Sequence, residues 1–269
     1  MFSNKRYREL QELCRGEDHP LLHLYPAGER LRDRSKREVR VVPFFLDVAA
    51  PVVLCCPGGA YEFVSWINEG YDIARALNER GFHVLLLGYR IGDWAKNPNA
   101  PDDVAAAMQW IRLHAAACKL DADNVFLCGF SAGGHLAAYY AATAARKGNL
   151  VPRAVVLGYP VISFVSETHE RTRELFLGED KDDPAARAAG SVELIADGTF
   201  PPLFTMHCED DAAVPVSNSL RLAARLREVG VPCETALYPT GGHGIGIGTG
   251  TSGEGWIDRA AAFLRQYVR

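Results

Sequence analysis

From about residue 50 to the C-terminus, short continuously apolar runs alternate with longer stretches of helical periodicity, and that alternation leaves few folds open. The runs fall at 52–56, 84–87, 125–128, 154–159, 203–208 and 234–238, with an earlier one at 39–45 joined to the first by a short turn. A strand wetted on one face alternates apolar and polar residues. These runs barely do, so each is expected to be covered by helices on both faces. Helical spacing occupies roughly 69–80, 102–118, 132–146, 216–229 and 254–268. Strand and helix in turn imply parallel strands joined by right-handed crossovers. The expectation is one doubly wound, mostly parallel α/β domain spanning residues 1–269, with no internal repeat and no low-complexity linker. The charged opening, MFSNKRYRELQELCRGEDH, reads as helical and stands outside that alternation.

One connection breaks the pattern. About forty residues separate Tyr159 from Phe200, including SETHERTRELFLGEDKDDPAARAAG. Connections in such folds are usually a few residues long, so this one is expected to hold short helices of its own. It lies between two core strands, which makes the part at approximately 163–199 a candidate lid over the carboxyl ends of the strands.

Ligand sites in open α/β sheets form at those carboxyl ends. Ser131 falls there, in VFLCGFSAGGH. Gly129-Phe130-Ser131-Ala132-Gly133 fits the G-x-S-x-G elbow, in which the serine occupies a strained strand-to-helix turn and the glycines make room for neighbouring backbone. The hydroxyl would stand at the N-terminus of the next helix, whose dipole favours developing negative charge. A serine is a poor nucleophile until a base takes its proton, and the base needs an orienting carboxylate. In the elbow arrangement these follow the serine in the order acid, then histidine. His243 lies in PTGGHGIG after the last strand run, and EDDAAVPVSNS follows the run at 203–208. The carboxylate is open among Glu209, Asp210 and Asp211. Asp211 is preferred because it precedes AAVP, leaving the valine and proline to start the next helix, with Asp210 in reserve. His207 at the strand end and His135 one turn into the elbow helix read as structural.

An oxyanion needs preorganised amide donors. CCPGGAY ends the run at 52–56, and its small residues let the backbone approach a substrate oxygen closely. The amides of Gly59 or Ala60 are expected to act with that of Ala132. Gly248-Thr-Gly-Thr-Ser-Gly253 matches G-x-G-x-x-G literally, but it begins about ten residues after its strand, and the acidic partner wanted some twenty residues on would lie beyond residue 269. These glycines are expected to shape the histidine loop rather than bind a nucleotide.

Composition excludes several other classes. A net charge of -4 gives no basic footprint for nucleic acid. No run of about 18 apolar residues suggests a membrane span, and the charged N-terminus lacks the apolar centre of a secretory signal. The seven cysteines are scattered without a CxxC pair or a Cys/His cluster, so no metal or other cofactor is implied, and a reducing, cytoplasmic location is the simplest expectation.

With these parts in place the chain resembles the α/β-hydrolase superfamily. Within it the chain is similar to small bacterial esterases grouped with acetyl-xylan esterases and feruloyl-esterase-like hydrolases, related to the hormone-sensitive-lipase type. PGGAY, LLLGYR, PDDVAAAMQWIR, GFSAGGHLAA, DDAAVPVSNSL and the terminal GGHG carry the resemblance. It implies Ser131 as nucleophile, Asp211 as orienting acid, His243 as base, and Gly59, Ala60 and Ala132 around the oxyanion. Pro57 stands where lipase-type relatives carry histidine, and Ala60 replaces a third glycine; backbone donors survive both changes. Tyr61, Trp66, Phe164 and Phe176 are expected pocket walls. The implied activity is serine carboxylester hydrolysis of short acyl esters, with acetylated carbohydrate as one candidate substrate. A peptidase or aryl-formamide hydrolase on the same fold, and an inactive hydrolase used for binding, are the competing expectations.

Overall fold

The computed structural model describes residues 21–269, and the helical opening expected before them lies outside the described residues. Eight strands form one sheet: β1 (Leu22–His23), β2 (Arg40–Phe44), β3 (Ala50–Cys56), β4 (His83–Gly88), β5 (Leu120–Phe130), β6 (Val155–Gly158), β7 (Leu203–Cys208) and β8 (Cys233–Tyr238). Their order is β1-β2-β4-β3-β5-β6-β7-β8. From β3 to β8 the strands run parallel, whereas β2 pairs antiparallel with β4 and β1 with β2. The first two expected runs, consecutive in the chain, are therefore not sheet neighbours, because β4 lies between them.

Alternate residues of the same strand enter two different cores. Val52, Leu54 and Cys56 join Leu85, Leu87, Val125 and Leu127 on one face. Val53 and Cys55 join Val84, Leu86, Phe126 and Cys128 on the other. Each face needs its own helical cover, and this is why the runs show no polar alternation. The first face is covered by α3 (Asn99–Cys118) and α4 (Ser131–Ala144), with Leu222 and Leu226 of α8 (Ser217–Glu228). Ile73 and Leu77 of α2 (Asp72–Glu79) and Trp256 and Leu264 of α9 (Trp256–Arg265) cover the second. Before them comes a short α1 (Ala27–Arg32). Tyr25, just ahead of α1, donates to Asp103 of α3, which also pairs with Arg90 at the end of β4.

Two elements depart from the expected bounds. Strand β5 begins at Leu120, well before the apolar run, because Leu120 and Asp121 already pair with Ala50 and Pro51 of β3 ahead of a shift in register. The helix expected from residue 69 opens with a π turn, Ile67–Tyr71, that continues directly into α2.

The long connection between β6 and β7 holds three short helices, α5 (Glu170–Leu177), α6 (Pro184–Gly190) and α7 (Val192–Ile195). Helix α6 starts where Asp183 accepts the amides of Ala185 and Ala186, with Pro184 in the first turn. His135 of α4 fastens this segment to the body. Its Nε2–H donates to the Gly190 carbonyl at 2.9 Å, and its Nδ1 accepts from the Tyr61 hydroxyl at 3.0 Å. Phe164 stacks on the ring with centroids 4.3 Å apart, and Phe176 meets it edge-on at 4.6 Å. With the imidazole neutral, both ring nitrogens are satisfied.

Burial pushes the His135 imidazole down to about 4. An unfolded histidine titrates near 6.5, so between these values the unfolded chain binds the extra proton and stability falls as pH falls. The contribution is complete above about pH 6.5 and is lost towards pH 4, amounting to about 3 kcal/mol. Urea unfolding of the wild type at pH 8 and pH 4.5 is expected to show this loss. In His135→Gln, whose amide can still donate to Gly190, the loss should shrink by about 2–3 kcal/mol; equal losses in both proteins would show that His135 does not carry it.

Candidate active site

Ser131 sits where β5 becomes α4, with φ of 51°. Left-handed backbone costs a non-glycine residue about 1–2 kcal/mol, so the surroundings must hold it there. Close packing on both sides does so. A Cβ on Gly129 would lie 2.8 Å from the Ala137 Cβ and run into the Gly133 carbonyl, and one on Gly133 would run into the Cys56 and Pro57 carbonyls at the end of β3. Helix α4 is buried over 13 of its 14 residues, which explains its run of glycine and alanine.

The serine hydroxyl donates to His243 Nε2 at 2.9 Å, and His243 Nδ1–H donates to Asp211 Oδ2 at 2.7 Å. Asp211 follows β7, and its side chain is fully buried. Its Oδ1 accepts the amides of Ala213 and Val214, both at 2.9 Å, as the chain turns towards α8. Its Oδ2 also faces His207 Nε2 at 3.2 Å. That ring is fixed by the Ser219 hydroxyl on Nδ1 and the Val214 carbonyl on Nε2–H. Burial alone would raise the Asp211 carboxyl, but the hydrogen bonds from His207, His243 and Val214 outweigh it and hold the group well below the usual carboxylate range. Asp210, the reserve candidate, points elsewhere: it accepts the amides of Gly241 and Gly242 and so braces the loop before His243. The backbone is left-handed at Gly242 and Gly244, which suits a glycine-rich loop. Asn68 Nδ2 donates to the Gly244 carbonyl at 2.6 Å, and Trp256 of α9 donates to the Gly246 carbonyl at 2.9 Å.

The loop after β3 passes beside the serine. A Cβ on Gly58 would lie 2.8 Å from the Ser131 Cβ. Gly59, Ala60 and Tyr61 have φ of 123°, 57° and 59°, three consecutive residues outside ordinary backbone. Among the described residues, the amides of Gly59, Ala60 and Ala132 enter none of the turn, loop or cap hydrogen bonds, leaving them as donors for a bound group.

Of the four aromatic residues expected to wall a pocket, three are instead part of the core. Tyr61, Phe164 and Phe176 are buried to 1% exposure or less and pack on one another and on His135, so they offer no surface to a ligand. Trp66 is half-buried and lies against Gly88 of β4, where a Cβ would fall 2.7 Å from its ring. A concavity of about 810 Å³ is lined by Tyr25, Arg90, Asp102 and Gln109 among others, and by none of the serine's partners. Among the described residues no cluster of His, Cys, Asp or Glu is disposed to hold a metal ion, and no helix is long and apolar enough to cross a membrane.

Three residues near the serine escaped sequence reasoning in these roles. His207, which reads as structural from the sequence, has its ring against the Asp211 carboxylate. Tyr159, at the end of β6, packs its ring edge-on against His243 with centroids 5.0 Å apart. Glu69, in the π turn, is buried and accepts the Gly58 amide at 2.9 Å. An acid in a helical stretch carries no mark of burial, and the π turn changes the phase from which its facing would be read.

A family model described as BD-FAE matches residues 43–226. An acetylxylan esterase from Xylanibacter ruminicola is 29% identical over 72% of this chain and 40% of its own length. An endo-1,4-beta-xylanase B from Butyrivibrio fibrisolvens is 30% identical over 78% and 35%. The chain thus spans well under half the length of these two relatives. Among solved structures, an acetyl ester-xyloside bifunctional hydrolase from Caldicellulosiruptor lactoaceticus superposes with a TM-score of 0.83 at 29% identity, covering 92% of this chain and 96% of the other. An alpha/beta hydrolase enzyme from a deep-sea metagenome library superposes with a TM-score of 0.72 at 24% identity over 93% and 97%. The fold is that of the α/β hydrolases.

The hydrogen-bonded geometry predicts an unusually reactive serine. Phenylmethylsulfonyl fluoride is expected to modify one site, found by peptide mass mapping at Ser131. The rate should drop about 100-fold or more in His243→Ala, the scale on which a positioned base acts. Equal labelling of both proteins would show that the imidazole does not activate the hydroxyl.

Proposed function

The chain belongs to the BD-FAE family, and from that membership and the geometry around Ser131 we propose that it is a serine carboxylester hydrolase acting on short acyl esters. One observation carries the reading: the unbroken series from the Ser131 hydroxyl through His243 to the buried, ionised Asp211, at 2.9 and 2.7 Å. Ser131 Oγ attacks the ester carbonyl as His243 Nε2 takes its proton. The resulting imidazolium is stabilised by Asp211, whose charge is retained in acid because its carboxyl is held so low. The tetrahedral oxyanion rests on the amides of Ala132 and of Gly59 or Ala60. Nε2–H then protonates the departing alcohol, leaving Ser131 acylated. A water deprotonated by His243 attacks the acyl carbonyl, and the acid and Ser131 are released.

The acetyl-ester activities in the names of the similar proteins support acetylated xylose units as the substrate class. The segment at 163–199 acts as a lid in this reading: Arg171 of α5 pairs with Glu62 of the oxyanion loop at 3.0 Å, joining the segment to the rim.

Purified protein is expected to turn over 4-nitrophenyl acetate and to release acetate from acetylated xylo-oligosaccharides. Ser131→Ala and Asp211→Asn should each lower kcat by about 10³–10⁴. Asp210→Asn, which only weakens the bracing of the loop, should cost at most about tenfold. Inertness of the wild type towards acetyl, butyryl, amide and formamide substrates alike would leave only a binding role, and faster turnover of an amide or formamide would move the reaction class.

A further inference from the structure

We propose that Glu69 is a positioning residue that keeps the oxyanion loop and the histidine loop in register with Ser131, through a series running from the Gly58 amide to the Glu69 carboxylate, the Tyr159 hydroxyl and the Gly246 amide. The inference rests on the esterase reading above and adds to it a residue outside the serine, histidine and aspartate.

Glu69 is only 4% exposed. A carboxylate buried that far is destabilising unless it is met by donors, and three meet this one. The Gly58 amide donates to Oε2 at 2.9 Å. The hydroxyls of Tyr159 and Ser65 supply the other two hydrogen bonds. Gly58 opens the loop whose next two amides are left for the oxyanion, so the carboxylate orients that loop at its root. Tyr159 extends the series to the opposite loop: its hydroxyl accepts the Gly246 amide at 3.2 Å, three residues beyond His243, and its ring rests on the imidazole.

The neighbouring residue of the same π turn repeats the connection, with Asn68 donating to the Gly244 carbonyl. A Cβ on Gly246 would run into Asn68, so that loop is pressed against the turn. A π turn adds one residue to a helical turn and is found disproportionately at functional sites. Here it presents Asn68 and Glu69 to two loops at once. Burial raises the Glu69 carboxyl from its ordinary value, and its hydrogen bonds and a charge on the nearby His243 act in the opposite direction.

The test compares wild type with Glu69→Gln, Glu69→Ala and Tyr159→Phe on 4-nitrophenyl acetate, each rate divided by active sites titrated with a fluorophosphonate. Binding of a trifluoromethyl ketone, whose hemiketal oxygen occupies the oxyanion position, is measured alongside. Glu69→Ala is expected to lose about 100-fold in kcat, the effect of a roughly 1 Å misplacement, with KM within about threefold of wild type. Its affinity for the ketone should fall by a similar factor, since both report the oxyanion amides. Glu69→Gln retains a carbonyl for the Gly58 amide and should recover part of the loss. Tyr159→Phe, which keeps the ring and removes only the hydroxyl, should lose about tenfold in kcat, and it serves alone if the Glu69 variants do not fold. Variants that melt lower yet match wild type per titrated site, or that change KM alone, would overturn the proposal while leaving the esterase reading in place. An inert wild type would overturn both, and is seen before any variant is compared.

Discussion

The turn at Ser131 is the constraint to which the rest of the structure answers. A strand buried on both faces must end and a helix begin within one residue, in left-handed backbone, and only very small neighbours fit around that point. The consequences spread outward by contact. The end of β3 touches Gly133, so the loop that follows β3 necessarily begins beside the serine. Gly134 packs against Pro160 at the end of β6, where a Cβ would lie 2.7 Å from the proline Cβ. The packing of α4 between β3 and β6 thus brings both strand ends to the nucleophile candidate.

Around this point the polar groups are buried in unlike balances. Asp211 receives two amides and two imidazoles, enough to overcome burial and hold its charge firmly. At Glu69 burial prevails over its hydrogen bonds, and the carboxyl is raised from its ordinary value. His135 has no carboxylate partner and stays neutral in its aromatic surroundings. Such differences follow from how many donors meet the charged form and how much water is lost, rather than from residue type. They also separate duties: one carboxylate meets the imidazole directly, another ties two loops together, and a neutral histidine fastens the helical segment between β6 and β7.

Much of the architecture could be read before any coordinates. The apolar runs without alternation required two-sided burial, and β3, β4 and β5 do divide their residues between two cores. Run β7 was readable to the residue, because apolar strand and polar loop change abruptly at Cys208 and Glu209. Less legible was the pairing of β2 with β4 rather than with its chain neighbour, since both alternatives bury the same residues. The aromatic residues were misjudged for a related reason: Tyr61, Phe164 and Phe176 serve a core as well as they would a pocket, and composition cannot tell a ring facing a cavity from one facing another ring.

What the amino-acid order determined alone was whatever depends on near neighbours: strand against helix, the glycines around Ser131, and the serine, acid and histidine in their sequence of appearance. Which of Asp210 and Asp211 meets the imidazole, that His207 lies behind Asp211, and that Glu69 reaches Gly58 and Tyr159 were decided only when the chain closed. The wider of those contacts, Asp211 with His243 and Glu69 with Tyr159, join residues 32 and 90 positions apart. Their distances depend on how strands stack and helices pack across the whole sheet, and no local pattern of residues records that.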